Sequence, residues 1–212
     1  MNDEDARSWL TDTFSVSRET MRQLGYLVDA VTTENKQQNL ISAASEIAIW
    51  HRHIVDSAQL LVLCPSEVSD APWIDLGTGA GFPGLVIAIL SERPIILVES
   101  RRKRFEFLER TADALKLSHV TVHGGNLDAL ESVAASVISA RAFAPLPRLL
   151  EGAIRFSRKK TLWLLPKGRS AREELASIKT TWHGDFSIKQ SITDGESAII
   201  VASGVHKRKS KP

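Results

Sequence analysis

The sharpest chemical signal in the chain is Asp75-Leu76-Gly77-Thr78-Gly79-Ala80-Gly81-Phe82-Pro83-Gly84, where an apolar run breaks into closely spaced glycines. Glycine tolerates positive φ and, lacking Cβ, lets a ligand lie against bare backbone. Glu99 follows Gly77 by 22 residues and ends another apolar run, Ile95 to Glu99. A carboxylate there can accept both hydroxyls of a ribose, so a cofactor carrying a nucleoside is the natural occupant.

Two cofactor classes meet that description. Gly79-x-Gly81-x-x-Gly84 with Glu99 satisfies the dinucleotide fingerprint of an NAD(P)-dependent oxidoreductase. Asp75 favours S-adenosylmethionine instead, because a carboxylate just before the turn suits the ammonium of a methionine moiety and is badly placed for a pyrophosphate. Two more segments fall at the same rim. Gly124-Gly125-Asn126-Leu127-Asp128 offers a backbone amide and a carboxylate to an adenine, and Ser139-Ala140-Arg141-Ala142-Phe143 places Arg141 over the cleft. No pairing of general base with nucleophile stands out, so no catalytic acid or base is expected. His51 and His53 lie about 200° apart on a helix and Cys64 is the single cysteine, so neither a metal site nor an internal disulfide is expected.

These residues need elements to hold them. From Pro72 onward short β-rich runs recur at Trp73 to Leu76, Ile95 to Glu99, Val120 to His123, Val137 to Ser139 and Thr161 to Leu165. Helical patterns separate them at Pro83 to Leu90, Arg101 to Leu115, Leu146 to Phe156 and Ser170 to Lys179. That alternation predicts right-handed βαβ units and a mostly parallel, Rossmann-like α/β sheet with helices on both faces. Phe186 to Ile192 and Ser197 to Ser203 flank Thr193-Asp194-Gly195-Glu196, which predicts an antiparallel hairpin closing the sheet. Such a hairpin is the ending of methyltransferase sheets rather than of dinucleotide folds.

Residues 1–70 read as a helical extension, 71–205 as the α/β domain and 206–212 as a basic tail. Ser17 caps a helix with Met21, Leu24, Leu27, Val28 and Val31 on one side. A second helix starts at Ser45 with the stripe Ile47, Trp50, Ile54, Ala58 and Leu61, and Cys64-Pro65 ends it. On that helix Arg52, His53 and Asp56 lie about 140°, 240° and 180° around from Ile47, off the stripe, with Arg52 and Asp56 able to pair.

At 212 residues with 43% apolar and 25% charged side chains, the chain is long enough for a real core and excludes collagen-like, coiled-coil and disordered classes. No apolar run approaches the roughly 20 residues that cross a bilayer, and the N-terminus is acidic, so a cytoplasmic protein without membrane contact is expected. The net charge of +2 hides an asymmetry: residues 1–70 hold 5 Lys+Arg against 11 Asp+Glu, leaving the remainder at +8. Basic residues cluster at Arg101 to Arg104, Arg158 to Lys160 and Lys207 to Lys211, the footprint of a polyanion binder.

Together, Asn39-Leu40, Arg52-His53-Ile54-Val55-Asp56-Ser57, Asp75 to Gly84, Lys103-Arg104-x-x-Phe107-Leu108, Ser139 to Phe143 and Lys167-Gly168 resemble the bacterial glucose-inhibited division protein B family, the 16S rRNA guanine-N7 methyltransferases. The resemblance covers most of the chain, with departures at Ser136, Ala80 and Phe82, where members often carry an acidic residue, proline and leucine. It implies a class I S-adenosylmethionine-dependent methyltransferase fold with an N-terminal helical extension, and cofactor contacts at Gly77, Phe82, Leu127, Asp128 and Arg141 beside those read above for Asp75, Gly79 and Glu99. It implies that the substrate is a guanine of the 530 loop, in 16S rRNA or the small ribosomal subunit, met by Asn39, Arg52, His53, Asp56, Lys103, Arg104 and Lys167. Guanine N7 has a free lone pair at neutral pH, so direct displacement needs no base. A monomer is expected. The alternatives are the oxidoreductase and a non-catalytic RNA-binding or ribosome-assembly module of the same fold.

Overall fold

The computed structural model describes residues 1–65 and 69–208, so most of the basic tail, residues 209–212, lies outside the described residues. The first helix, α1 (Asp3–Phe14), comes from a segment whose acidity hides it: Asn2 and Asp5 form a capping box and only Ala6 and Leu10 are buried. α2 (Arg18–Gln38) starts at the Ser17 cap as the sequence predicts and buries Leu24, Leu27 and Val31.

The expected second helix is broken. α3 (Ala43–Ile47) leads into a wide π-turn, Trp50–Val55, before α4 (Asp56–Val62). A π-turn advances the chain by more residues per revolution, so the 3.6-residue phase counted from Ile47 is lost across it. Ile47 is consequently 86% exposed, whereas His53, Ile54 and Val55 turn inward. Ile47 is therefore corrected out of the expected stripe, while Trp50, Ile54 and Ala58 are buried and Leu61 packs against the core.

The rest alternates as expected: β1 (Trp73–Leu76), α5 (Gly84–Leu90), β2 (Ile95–Glu99), α6 (Arg102–Ala114), β3 (Val120–Gly124), β4 (Val137–Ala140), α7 (Leu146–Ala153), β5 (Leu162–Lys167), α8 (Ala171–Ile178) and the strands β6 (Trp182–Gln190) and β7 (Ala198–Lys207). They form one sheet in the order β3-β2-β1-β4-β5-β7-β6, with β1 to β5 parallel and β7 antiparallel to both β5 and β6. Alternate residues of each strand feed different faces. Trp73, Leu97, Val137 and Leu164 join α1, α2, α4, α5 and α6 in one core. Ile74, Val98, Ile138 and Trp163 join α7 and α8 in the other. The N-terminal helices thus cover the sheet in the same core as α5 and α6, and Arg7 seals the junction by lying 3.7 Å over the Trp50 ring. No helix of the described residues is long and apolar enough to cross a membrane.

The order reverses between β1 and β4, and open α/β sheets bind ligands in the crevice beyond the carboxyl ends of the strands at such a point.

Candidate functional site

β1 and β4 run side by side with Asp75 opposite Ser139, so the crevice is fixed by strand register. Asp75 is wholly buried: Ser139 Oγ–H donates to Oδ1 at 2.6 Å and the Gly84 N–H to Oδ2 at 3.0 Å. Trp73 Nε1–H in turn donates to Ser139 Oγ at 2.8 Å. Burial pushes the Asp75 carboxyl up to about 6 against these hydrogen bonds. The expectation that Asp75 meets a ligand ammonium is corrected here, because its carboxylate is wholly enclosed between the glycine turn and β4, where no ligand reaches it.

Gly77 has φ +68° because the chain must reverse at once, and a Cβ on it would stand 2.5 Å from the Phe143 ring. Gly79, at φ +63°, is different: a Cβ there would meet only the Gly77 carbonyl at 3.7 Å and Arg104 at 3.8 Å, ordinary contact without a clash. Glu99, buried at the end of β2, accepts from the Gly79 N–H at 3.1 Å and the Arg101 N–H at 2.8 Å. A carboxylate has about four lone-pair positions, so two remain for ribose hydroxyls. Beyond β3 a short turn, Leu127–Ala129, leaves Asp128 exposed, and Arg155 closes it by donating to the Leu127 and Leu130 carbonyls. Cradle, acidic strand end and exposed turn in succession fit the nucleoside of S-adenosylmethionine.

On the other side of β1 the residues converge on Arg141. Its Nη1 donates to Asp56 Oδ2 at 3.2 Å and to the Arg52 carbonyl at 3.4 Å, while Nη2 donates to His53 Nδ1 at 2.6 Å. A guanidinium cannot accept, so Nδ1 must be the acceptor and the imidazole carries its proton on Nε2. Burial, with the Arg141 and Arg52 charges, pushes the His53 pKa down to about 3. His53 stacks on Phe82 with ring centroids 4.7 Å apart, and the Arg141 guanidinium lies 5.6 Å from the same ring. Ala142, at φ +53°, turns the chain so that Phe143 comes back over Gly77. A cavity of about 760 Å³ opens beside this cluster, lined by Arg52, His53, Asp56, Arg141 and Lys167 among others. Among the described residues no group of side chains is arranged to hold a metal ion.

The fold thus brings Arg52, His53, Asp56, Arg141 and Lys167 around one cavity. The expected Arg52–Asp56 pair does not form. The π-turn separates their directions, and Arg52 instead pairs with Asp194 at 2.8 Å. Lys167 lines the cavity, yet its ammonium is held by Glu174 at 2.8 Å and the Ala144 carbonyl at 3.2 Å, so it braces the loop after β4 rather than reaching for phosphate. Asn39, Lys103 and Arg104 lie apart from the cavity. Asn39 ends α2 in a left-handed conformation, its carbonyl accepts from Arg104, and Arg104 sits beside Gly79 on the cofactor side. Sequence reasoning missed Gln59, Ser191, Thr193 and Asp194. Their contacts span 132 to 142 residues, and no local pattern signals them.

Comparison with known proteins places the chain in a family. The family model for rRNA small subunit methyltransferase G matches residues 20–199. The protein named ribosomal RNA small subunit methyltransferase G in Rhizorhabdus wittichii is 52% identical over 98% of this chain and 95% of its own length. Its counterpart in Zymomonas mobilis is 48% identical over 100% and 98%. Among solved structures, cofactor-bound Rv0187 from MTB has a TM-score of 0.65 at 14% identity, covering 96% of this chain and 98% of that one. The Bacillus cereus O-methyltransferase in complex with SAH has a TM-score of 0.58 at 15% identity, covering 92% and 96%. The likeness to solved structures gives the class I methyltransferase fold, and the sequence relationship is closer: the chain belongs to the rRNA small subunit methyltransferase G family.

Proposed function

We propose that the protein transfers the methyl group of S-adenosylmethionine to N7 of one guanine in the 530 loop of 16S rRNA, acting as a monomer on the free RNA or the small ribosomal subunit. S-adenosylmethionine supplies a methyl group on a cationic sulfur; the chain holds it through the Gly79 backbone, Glu99 and the Leu127–Asp128 turn. The observation that carries the reading is the Arg-lined cavity beside the glycine turn, where the buried imidazole is neutral and already occupied. His53 Nδ1 accepts from Arg141 and is not free to act as a base. A nucleophile with no proton to lose suits such a site, and guanine N7 is one.

The same edge of guanine presents O6 beside N7, both acceptors, whereas adenine carries an amino group where guanine has O6. Arg52, with a side chain 43% exposed, is the donor suited to O6, leaving N7 for the methyl group. Rate then comes from alignment rather than acid–base chemistry. A base standing out of its stack is required, since a paired and stacked N7 is hard to approach. The test is transfer of labelled methyl to unmodified 16S rRNA, free and within small subunits, with the product nucleoside identified. One equivalent of 7-methylguanosine at a single 530-loop site is expected. Methylation of another atom, or no transfer to either form, overturns the reading.

A further inference from the structure

The turn of the C-terminal hairpin carries a buried polar network that the proposed reaction does not use. Gln59, Ser191 and Thr193 are 3%, 6% and 7% exposed. Thr193 Oγ1 lies 2.7 Å from Asp56 Oδ1, and Gln59 Nε2 lies 2.9 Å from the same oxygen. Gln59 Nε2 also donates to Ser191 Oγ at 3.2 Å, while its Oε1 accepts from the Ile192 N–H at 3.0 Å. Ser191 Oγ accepts from the Thr193 N–H at 3.2 Å and lies 2.9 Å from Thr193 Oγ1.

Only one direction of protons satisfies these contacts. An ionised Asp56 accepts and never donates, so the Thr193 hydroxyl proton points at Oδ1. Thr193 Oγ1 is then free to accept, which turns the Ser191 hydroxyl proton towards it. Gln59 cannot be flipped, since Ile192 N–H needs its oxygen and Asp56 its amide. A network whose hydroxyl protons each have a single direction holds its terminal group in one orientation. That terminal group is the Asp56 carboxylate, whose other oxygen receives Arg141.

We infer that Thr193 is a positioning residue, which orients Asp56 and through it the Arg141 guanidinium at the mouth of the cavity. The neighbouring Asp194 takes Arg52, so one hairpin turn assigns separate partners to both charged residues of the helical segment. The inference rests on the reading of the Arg141 cavity as the place of methyl transfer.

Thr193→Val keeps the shape and removes the hydroxyl, leaving Oδ1 one donor short and the Ser191 hydroxyl without its acceptor. Thr193→Ser keeps the hydroxyl. The expected result is about a tenfold loss of kcat/KM for T193V, with the melting temperature lowered by about 5 °C, and near-complete recovery of both in T193S. In an R141K background T193V should cost nothing further, because the group it positions is already altered. Nitrogen NMR of the His53 imidazole gives a readout that needs no turnover: Nδ1 should move towards an unbonded acceptor in T193V and stay in place in T193S. Wild-type turnover by T193V, multiplicative losses in the double variant, or an unmoved His53 resonance would each overturn the inference. R141K that transfers methyl as fast as wild type would overturn the parent reading as well, which separates the two failures.

Discussion

At the scale of single residues, two buried titratable groups work in opposite directions. The His53 pKa is held near 3 by burial and by Arg141, against an ordinary value near 6.5. As pH falls below 6.5 the unfolded chain takes up a proton that the native imidazole refuses, so stability is lost from there down to about pH 3. Asp75, raised to about 6, has the opposite sign. The native carboxyl takes up its proton first, and stability is gained as pH falls from about 6 towards 4. Replacing His53 by Gln keeps an acceptor for Arg141 and removes the first effect alone. Urea unfolding at pH 7 and pH 5 should therefore show H53Q losing about 2 kcal/mol less than wild type between the two. Equal losses would mean that the native imidazole is not held neutral. The glycines offer a second contrast. Gly77→Ala and Gly79→Ala both carry the left-handed penalty of about 1–2 kcal/mol. Only Gly77→Ala also drives a methyl into Phe143, so it should unfold at clearly lower urea than Gly79→Ala. Gly79→Ala should chiefly weaken S-adenosylmethionine binding in calorimetry, because its methyl clashes with nothing in the protein but covers backbone proposed to hold the cofactor.

At the scale of elements, the π-turn at Trp50–Val55 decides which side chains enter the site. A regular helix from Ser45 would bury Ile47 and leave His53 outside, and the structure has the reverse. Ile47→Ser should consequently change stability by no more than about 0.5 kcal/mol, as at an exposed position. Ile54→Ala should cost about 2–5 kcal/mol, as at a packed one. Comparable losses for both would restore the continuous helix. The strands and the helices between them were legible because alternating burial leaves a period in the sequence, and the glycine turn because its residue types have few other uses. α1 was not, since two buried residues in a twelve-residue segment leave too thin a stripe to stand out from its charges. Nor was the phase across the π-turn, because periodicity assumes the very repeat that a π-turn breaks. The partners of Arg52 and Asp56 were illegible for a related reason: helix spacing offers the nearby pair, while the tertiary fold supplies Asp194 and Arg141 from far along the chain.

At the scale of the whole molecule, strand direction sorts the basic clusters that composition treats alike. β1 to β5 are parallel, so what immediately follows β2 or β4 lies at the carboxyl rim with the glycine turn, and what immediately precedes β5 lies at the opposite rim. Arg101 and Lys103, at the start of α6 just after Glu99, are exposed at the site's own rim. Lys159 and Lys160, ahead of β5, are equally exposed at the other. An RNA loop that delivers one base to the Arg141 cavity passes the first pair and has no need to meet the second. Each phosphate neutralised on a single strand contributes about 0.7 to the slope of log affinity against log salt. Replacing Arg101 and Lys103 together by Ala should thus lower the magnitude of that slope by about 1.4 and weaken binding at every salt concentration. The Lys159, Lys160 double Ala variant should keep the wild-type slope, although it removes the same charge and alters the global field equally. The two double variants therefore separate contact from field. Equal slopes would show that RNA responds to the net charge of the +8 region, and a larger effect from Lys159 and Lys160 would put the RNA on the wrong rim for transfer at the Arg141 cavity.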